Sequence, residues 1–319
     1  MTGRGRIDKS TRRAVGLSNP KGFDATVSSA PGSTPRALSA NNRTGEKLGR
    51  KPGEELPMYS AGTIDAAAAD AAGSAGCNAC AGAAAHDFAI TMAFQPIVDV
   101  ETGRPFAYEA LVRGRDGAGA ASVLGAVAPE ALYAFDQACR VRAITLAAEL
   151  GLADTGALLS INFLPNAVYD PRTCIRRSLA AARRMGFPTD RLMFEVSESE
   201  RVADDDHLAH IVASYRAMGF TTAIDDFGAG HSGLALLARF RPDVVKLDMA
   251  LVRDVDADPA RAAIVRSMAG LMDELGVILI AEGVETRAES EALTRLGVRL
   301  QQGYRFAKPA FEALPAIAA

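Results

Sequence analysis

From about residue 88 onward, short apolar runs alternate with longer stretches in which apolar residues recur every three or four positions. The short runs are Ile90–Val100, Pro105–Arg113, Ala157–Leu164, Arg191–Ser197, Thr221–Asp226, Val244–Asp248, Val277–Glu282 and Leu300–Phe306. Their length and β-branched content predict strands. The longer stretches are Ala131–Leu150, Cys174–Met185, Asp206–Met218, Ser232–Arg239, Pro259–Leu275 and Arg287–Leu296, and their period predicts helices. Strands that alternate with helices pair in parallel. Eight of them in about 220 residues fit a closed, TIM-like (β/α)8 barrel of the α/β class. Only Asp99-Val-Glu-Thr-Gly103 separates the first two strands, a hairpin length, so one strand is expected to run antiparallel.

Upstream the texture differs. Residues 1–57 are rich in Gly, Ser, Pro, Asn and Arg with few aromatics, and read as a disordered basic tail. Residues 58–87 form an Ala/Gly-rich linker, with Met58 as an alternative start. The barrel domain is placed at 88–311 and a short C-terminal tail at 312–319. Charge follows the same division. The tail holds eleven Lys/Arg against five Asp/Glu, and the remainder 24 against 33. Such an acidic domain has no field to attract a long nucleic acid. No apolar run approaches the ~20 residues of a membrane span, and no secretory signal is visible. The four cysteines, Cys77, Cys80, Cys139 and Cys174, are too few for a disulfide framework and fit a reducing cytoplasm.

The polar residues within the strands gather at their C-terminal ends. They are Glu109, Asn162, Glu195 with Glu198, Asp225 with Asp226, Lys246 with Asp248, Glu282 with Glu285, and Gln302. In a barrel these ends converge on one face, where catalysis occurs. Five carboxylates packed there repel one another unless cations intervene. Hard oxygen ligands select Mg²⁺ or Mn²⁺ over zinc, and adjacent aspartates can serve two ions, the usual device for displacement at phosphorus. Lys246 and Asp248 are two apart and are expected to share a face. A lysine among carboxylates stays protonated, so it orients water or phosphate, and proton removal falls to a carboxylate such as Glu282.

These residues carry a family resemblance. Gln95-Pro-Ile97, Glu109-Ala-Leu-Val-Arg113, Asn162, Glu195-Val-Ser-Glu198, Asp225-Asp-Phe-Gly228, Lys246-Leu-Asp248, Ala281-Glu-Gly-Val-Glu285 and Gln302-Gly-Tyr304 resemble, in order and spacing, the EAL-domain cyclic di-GMP phosphodiesterases. The resemblance implies hydrolysis of cyclic di-GMP to linear pGpG. It places a first metal on Glu109, Asn162, Glu195 and Asp225, with Asp225 bridging to a second near Asp226 and Glu282. Lys246 would orient the attacking water. Gln95, Leu111, Arg113, Asp248 and Gln302 would face substrate, with Glu198 anchoring the loop after the fifth strand and Glu285 supporting the site. A homodimer is expected on the same ground. One departure is the loop Gly230-His231-Ser232-Gly233, where the family usually reads Gly-Tyr-Ser-Ser. Ser197 also replaces the usual Thr.

Other motifs have plainer readings. Asp204-Asp-Asp206 is expected to cap the helix that follows. His207 and His210 have a metal-like spacing but sit on that outer helix. Cys77-Asn-Ala-Cys80 followed by His86 lacks a second ligand pair, and reads as a solvated linker with two thiols. Two other functions compete with hydrolysis. One is a receptor or protein-interaction module on the same fold that does not cut cyclic di-GMP. The other is an unrelated phosphate-handling barrel, which would need a glycine-rich loop after the last strands.

Overall fold

The computed structural model describes residues 88–198, 205–230 and 233–318. The tail and linker expected over 1–87, with Cys77, Cys80 and His86, lie outside the described residues, as do Asp204, His231 and Ser232. The described residues open with a hairpin of β1 (Ile90–Asp99) and β2 (Arg104–Gly114). A short helix α1 (Ala120–Gly125) and a long α2 (Leu132–Glu149) lead to β3 (Leu158–Asn162). Helices α3 (Pro171–Cys174) and α4 (Arg176–Met185) precede β4 (Leu192–Ser197). Next come α5 (Asp205–Ala217), β5 (Thr221–Phe227), α6 (Gly233–Phe240) and β6 (Val244–Leu247). The chain ends with α7 (Met249–Val252), α8 (Pro259–Leu275), β7 (Ile278–Ala281), α9 (Arg287–Arg295), β8 (Leu300–Gln302) and β9 (Ala310–Phe311).

Strands β2 to β8 are parallel and follow one another in chain order. β1 closes the ring, antiparallel to both β2 and β8. The eight-stranded barrel with one reversed strand is therefore as the pattern requires. Arg299 secures the closure through paired contacts to Asp99, one of them at 2.6 Å. β9 extends the seam by pairing with Ala93 and Phe94 of β1. Residues 312–318 continue along the barrel, Glu312 donating its N–H to the Met92 carbonyl at 3.0 Å.

Two apolar clusters form the core. The larger lies between strands and helices. The smaller consists of Ile97, Ala107, Met193, Ala223, Val244, Ile280 and Leu300, one from each of seven strands. Only the barrel interior is common to seven strands, so this cluster is its floor. Side chains two apart on a strand share a face. Two residues from each floor position stand Gln95, Glu109, Glu195, Asp225, Lys246, Glu282 and Gln302. On β3 the same step leads from Leu158 through Ser160 to Asn162. A polar layer thus rests directly on an apolar one.

Some boundaries differ from the sequence expectation. β8 stops at Gln302, where Gly303 presses on the preceding β7–α9 loop and a Cβ would lie 2.0 Å from the Val284 carbonyl oxygen. β6 ends at Leu247, and Asp248 instead caps α7 by accepting from the Ala250 N–H at 2.8 Å. Among the described residues, no helix is long and apolar enough to cross a membrane.

Candidate active site

The polar layer is organised around Lys246. Its ammonium is fully buried and lies 2.6 Å from Glu282 Oε1, 3.1 Å from Glu195 Oε2, 3.1 Å from Asp225 Oδ1 and 3.5 Å from Glu109 Oε2. Two amides extend the network. Asn162 Nδ2 donates to Glu109 Oε1 at 3.1 Å, and Gln302 Nε2 to Glu109 Oε2 at 2.7 Å. Gln302 also approaches Gln95 Oε1 at 3.4 Å, while Gln95 donates to the Ala307 carbonyl at 3.1 Å. The site is graded in depth, with Glu195 and Lys246 sealed and Asn162 exposed at the mouth.

Asp225 and Asp226 are adjacent, and strand alternation alone would send them to opposite faces. The backbone resolves this. Asp226 has φ +55°, in the left-handed region, and the β5–β6 register slips between Ile224 and Phe227. Bulges of this kind re-aim side chains beside active sites. Two carboxylate groupings result, Glu109–Glu195–Asp225 and Asp225–Asp226–Glu282, each with ligand atoms within 4.8 Å of one another. Asp225 belongs to both. The donors are all oxygens, which suits hard divalent cations. Glu195 Oε1 is buried with no hydrogen-bond donor in good geometry, an orphaned acceptor that a cation would satisfy.

Electrostatics reflects this crowding. Burial disfavours the Lys246 ammonium, but Asp225, Glu109, Glu195 and Glu282 outweigh it and hold its pKa well above the ordinary lysine value. Burial pushes Glu195 up to about 8, against Lys246 and with help from Glu109 and Asp225. Glu282 is likewise held well above the usual range, chiefly by burial, with Lys246 opposing and Asp225 adding. Asp226 is raised by burial and by Asp225, while a bond from Ser197 Oγ at 2.9 Å opposes the shift. Ser197, which stands where the family usually has Thr, thus holds Asp226. It stands two residues beyond Glu195, and that spacing was the available signal.

The remaining candidates sit around this centre. Leu111 and Arg113 follow Glu109 along the inward face of β2, and Arg113 donates to the Val112 carbonyl at 2.7 Å. Glu198 accepts from Gly228 N and Gly233 N, both at 2.7 Å, so it pins the loop after β5 at two points. Gly233 is part of this fit, since a Cβ there would lie 2.8 Å from the Phe227 ring. Glu285 is not drawn into the centre and instead pairs with Arg253 at 2.7 Å. His207 lies 2.6 Å from the Val168 carbonyl through Nε2, which engages that nitrogen on the outer helix.

The fold and site together define a mixed (β/α)8 barrel whose C-terminal face carries an acidic centre suited to divalent cations. The chain belongs to the EAL domain family, which matches residues 83–309. A standalone EAL protein from Vibrio cholerae, solved in its c-di-GMP-bound form, is 52% identical with a TM-score of 0.70, over 73% of this chain and 98% of that one. BlrP1 from Klebsiella pneumoniae, solved as a manganese/cy-diGMP complex at pH 6, is 35% identical with a TM-score of 0.68, over 72% of this chain and 58% of that one. The blue light- and temperature-regulated antirepressor BluF of Escherichia coli is 32% identical over 226 residues, 71% of this chain. The match spans 56% of BluF, about half its length.

Proposed function

We propose that this protein hydrolyses cyclic di-GMP to linear pGpG in the cytoplasm. One observation carries the reading: five carboxylates, an amide and a buried lysine converge at the C-terminal face of the barrel, with Asp225 shared by both acidic groupings. Related proteins support the ligand class, since BlrP1 is described with manganese and with calcium beside cyclic di-GMP. In this reading Glu109, Asn162, Glu195 and Asp225 hold one Mg²⁺ or Mn²⁺ ion, and Asp225, Asp226 and Glu282 a second. When bound, the ions supply Lewis acidity toward the phosphate and lower the pKa of water.

The chain's own residues do the rest. Lys246 orients the attacking water and balances charge that grows on the phosphate. Glu282 stands beside it to take the proton. Water adds at phosphorus, one P–O ester bond breaks, and the freed ribose oxygen takes up a proton. Gln95, Leu111, Arg113, Asp248 and Gln302 contact the substrate. Glu198 holds the loop after β5, and Glu285 braces the β7–α9 loop through Arg253. A receptor or interaction module without catalysis is the second reading. Loss of a carboxylate would favour it, and every one is present. Assembly as a homodimer rests on the family resemblance.

Turnover is expected to require added Mg²⁺ or Mn²⁺, and Ca²⁺ to inhibit because its longer, looser coordination spoils the two-ion spacing. Assays with each ion and with excess chelator check this, and full turnover in chelator would rule out the metal centre.

The raised carboxyl pKa values give a second expectation. Folded Glu195 keeps its proton up to about pH 8, whereas unfolded Glu195 releases it near 4.5. The folded chain therefore binds more protons in that window, and its stability falls as pH rises. A bound cation needs those carboxylates ionised, so its affinity rises over the same range. Thermal melts should show a metal-free Tm that drops between about pH 5 and about pH 8, with a Mg²⁺-induced gain that grows. A gain that shrinks with pH would contradict this.

A further inference from the structure

Behind β3 and β4 lies a charged cluster that the proposed chemistry does not use. Arg140 of α2 is fully buried, and Asp136, one turn earlier, nearly so. Arg140 Nε donates to Asp136 Oδ2 at 2.9 Å, and a terminal nitrogen reaches the same oxygen. Arg140 NH1 donates to the Tyr215 hydroxyl of α5 at 3.0 Å. Asp136 Oδ1 accepts from the Leu164 backbone N–H at 3.0 Å. The guanidinium lies 5.9 Å from the centre of the Phe163 ring. Tyr215 packs on Phe194, the neighbour of Glu195, with ring centres 5.0 Å apart.

Stability alone is a weak reason for such a cluster. Desolvating two charges is costly, and apolar residues of similar volume often stabilise a fold equally well or better. Its contacts are more informative, because they converge on the chain leaving β3 at Asn162. Phe163 N–H bonds to the Glu195 carbonyl at 3.0 Å, and Leu164 N–H to Asp136. The two residues after Asn162 are thus fixed from β4 and from α2. Arg140, anchored on α5 through Tyr215, fixes Asp136 in turn.

We propose that Asp136, Arg140 and Tyr215 are positioning residues for the metal centre: they hold residues 162–164 so that the Asn162 side chain meets Glu109. This rests on the reading of Asn162 as a metal ligand. Outer partners of metal ligands contribute roughly 10- to 100-fold in metal affinity, and Asp136 acts one step further out, through the backbone.

The test uses the full chain and Mn²⁺ alone, with calorimetry, the Mn²⁺ electron paramagnetic resonance spectrum and thermal melts. The triple variant Asp136→Leu/Arg140→Met/Tyr215→Phe is expected to stay folded with a modestly lower Tm, since the Leu164 N–H loses its acceptor, bind Mn²⁺ about tenfold more weakly and change the spectrum. Tyr215→Phe keeps the ion pair and decides the matter if the triple variant does not fold. It is expected to weaken Mn²⁺ roughly threefold, the scale of one hydrogen bond. Wild-type Mn²⁺ affinity and spectrum in a folded variant, with or without a lower Tm, overturn the proposal. Asn162→Ala, measured alongside, separates the two readings. Unchanged Mn²⁺ affinity there refutes the ligand assignment, whereas weakened affinity there beside an unaffected triple variant refutes the positioning role alone.

Discussion

Glu109→Ala is expected to lower turnover of cyclic di-GMP by roughly 10³-fold or more while the circular dichroism spectrum stays that of wild type. Glu109 is the acceptor for both amides, from Asn162 at 3.1 Å and Gln302 at 2.7 Å, and is one of three carboxylates in the deeper grouping. Removing it strips a proposed ligand and releases two neighbours at once. Charge stabilisation by a correctly held ion is worth several kcal/mol, and each ~1.4 kcal/mol is tenfold in rate. The fold should survive because Glu109 belongs to the polar layer. Ala107 beneath it and Tyr108 and Ala110 on the wall face keep their packing. Unchanged turnover with unchanged dichroism would remove Glu109 from the site.

Lys246→Ala is expected to act on rate and stability separately. In the proposed reaction its interactions with the phosphate strengthen toward the transition state, so they would belong to kcat more than to substrate affinity. Loss of one preorganised electrostatic group predicts a kcat at least ~10²-fold lower. Substrate Kd, measured with Ca²⁺ in place of the active ion, should change far less. Lys246 also lies within 3.5 Å of four carboxyl groups, of which Glu195 and Glu282 hold their protons above the usual range, so its charge chiefly offsets Glu109 and Asp225. Removing one partner from a buried ionic cluster costs on the order of 3–5 kcal/mol, so the metal-free variant should melt early. Added Mg²⁺ should restore much of that loss, because the cation replaces the missing positive charge. A lysine that serves stability alone would give the low Tm with kcat preserved, and paired melting and rate measurements distinguish the two.

The barrel was legible because strands and helices differ in period, and β1 announced its reversal through a connection too short for a crossover. The acidic centre was legible because charged residues in apolar strands stand out, and all of them fell near strand ends. Three features were hidden for physical reasons. Asp225 and Asp226 share a site only because Asp226 takes φ +55° at a register slip, which composition does not reveal. Asp136 and Arg140, four apart on a helix, have the spacing of an ordinary surface pair, yet tertiary packing buries both. The local contacts of Asp248 and Glu285 were hidden as well: Asp248, expected to face substrate, also caps α7 where β6 ends and stays near enough to raise Asp226, and Glu285, expected to support the site, pairs with Arg253.

The central claim is that this arrangement of carboxylates and lysine cuts a cyclic dinucleotide. It is tested most directly by incubating purified protein with cyclic di-GMP and Mg²⁺ and separating the products by chromatography. Linear pGpG that accumulates with time, and is absent when chelator is in excess, is the predicted result. Cyclic di-GMP recovered intact by a folded, metal-loaded protein would contradict it.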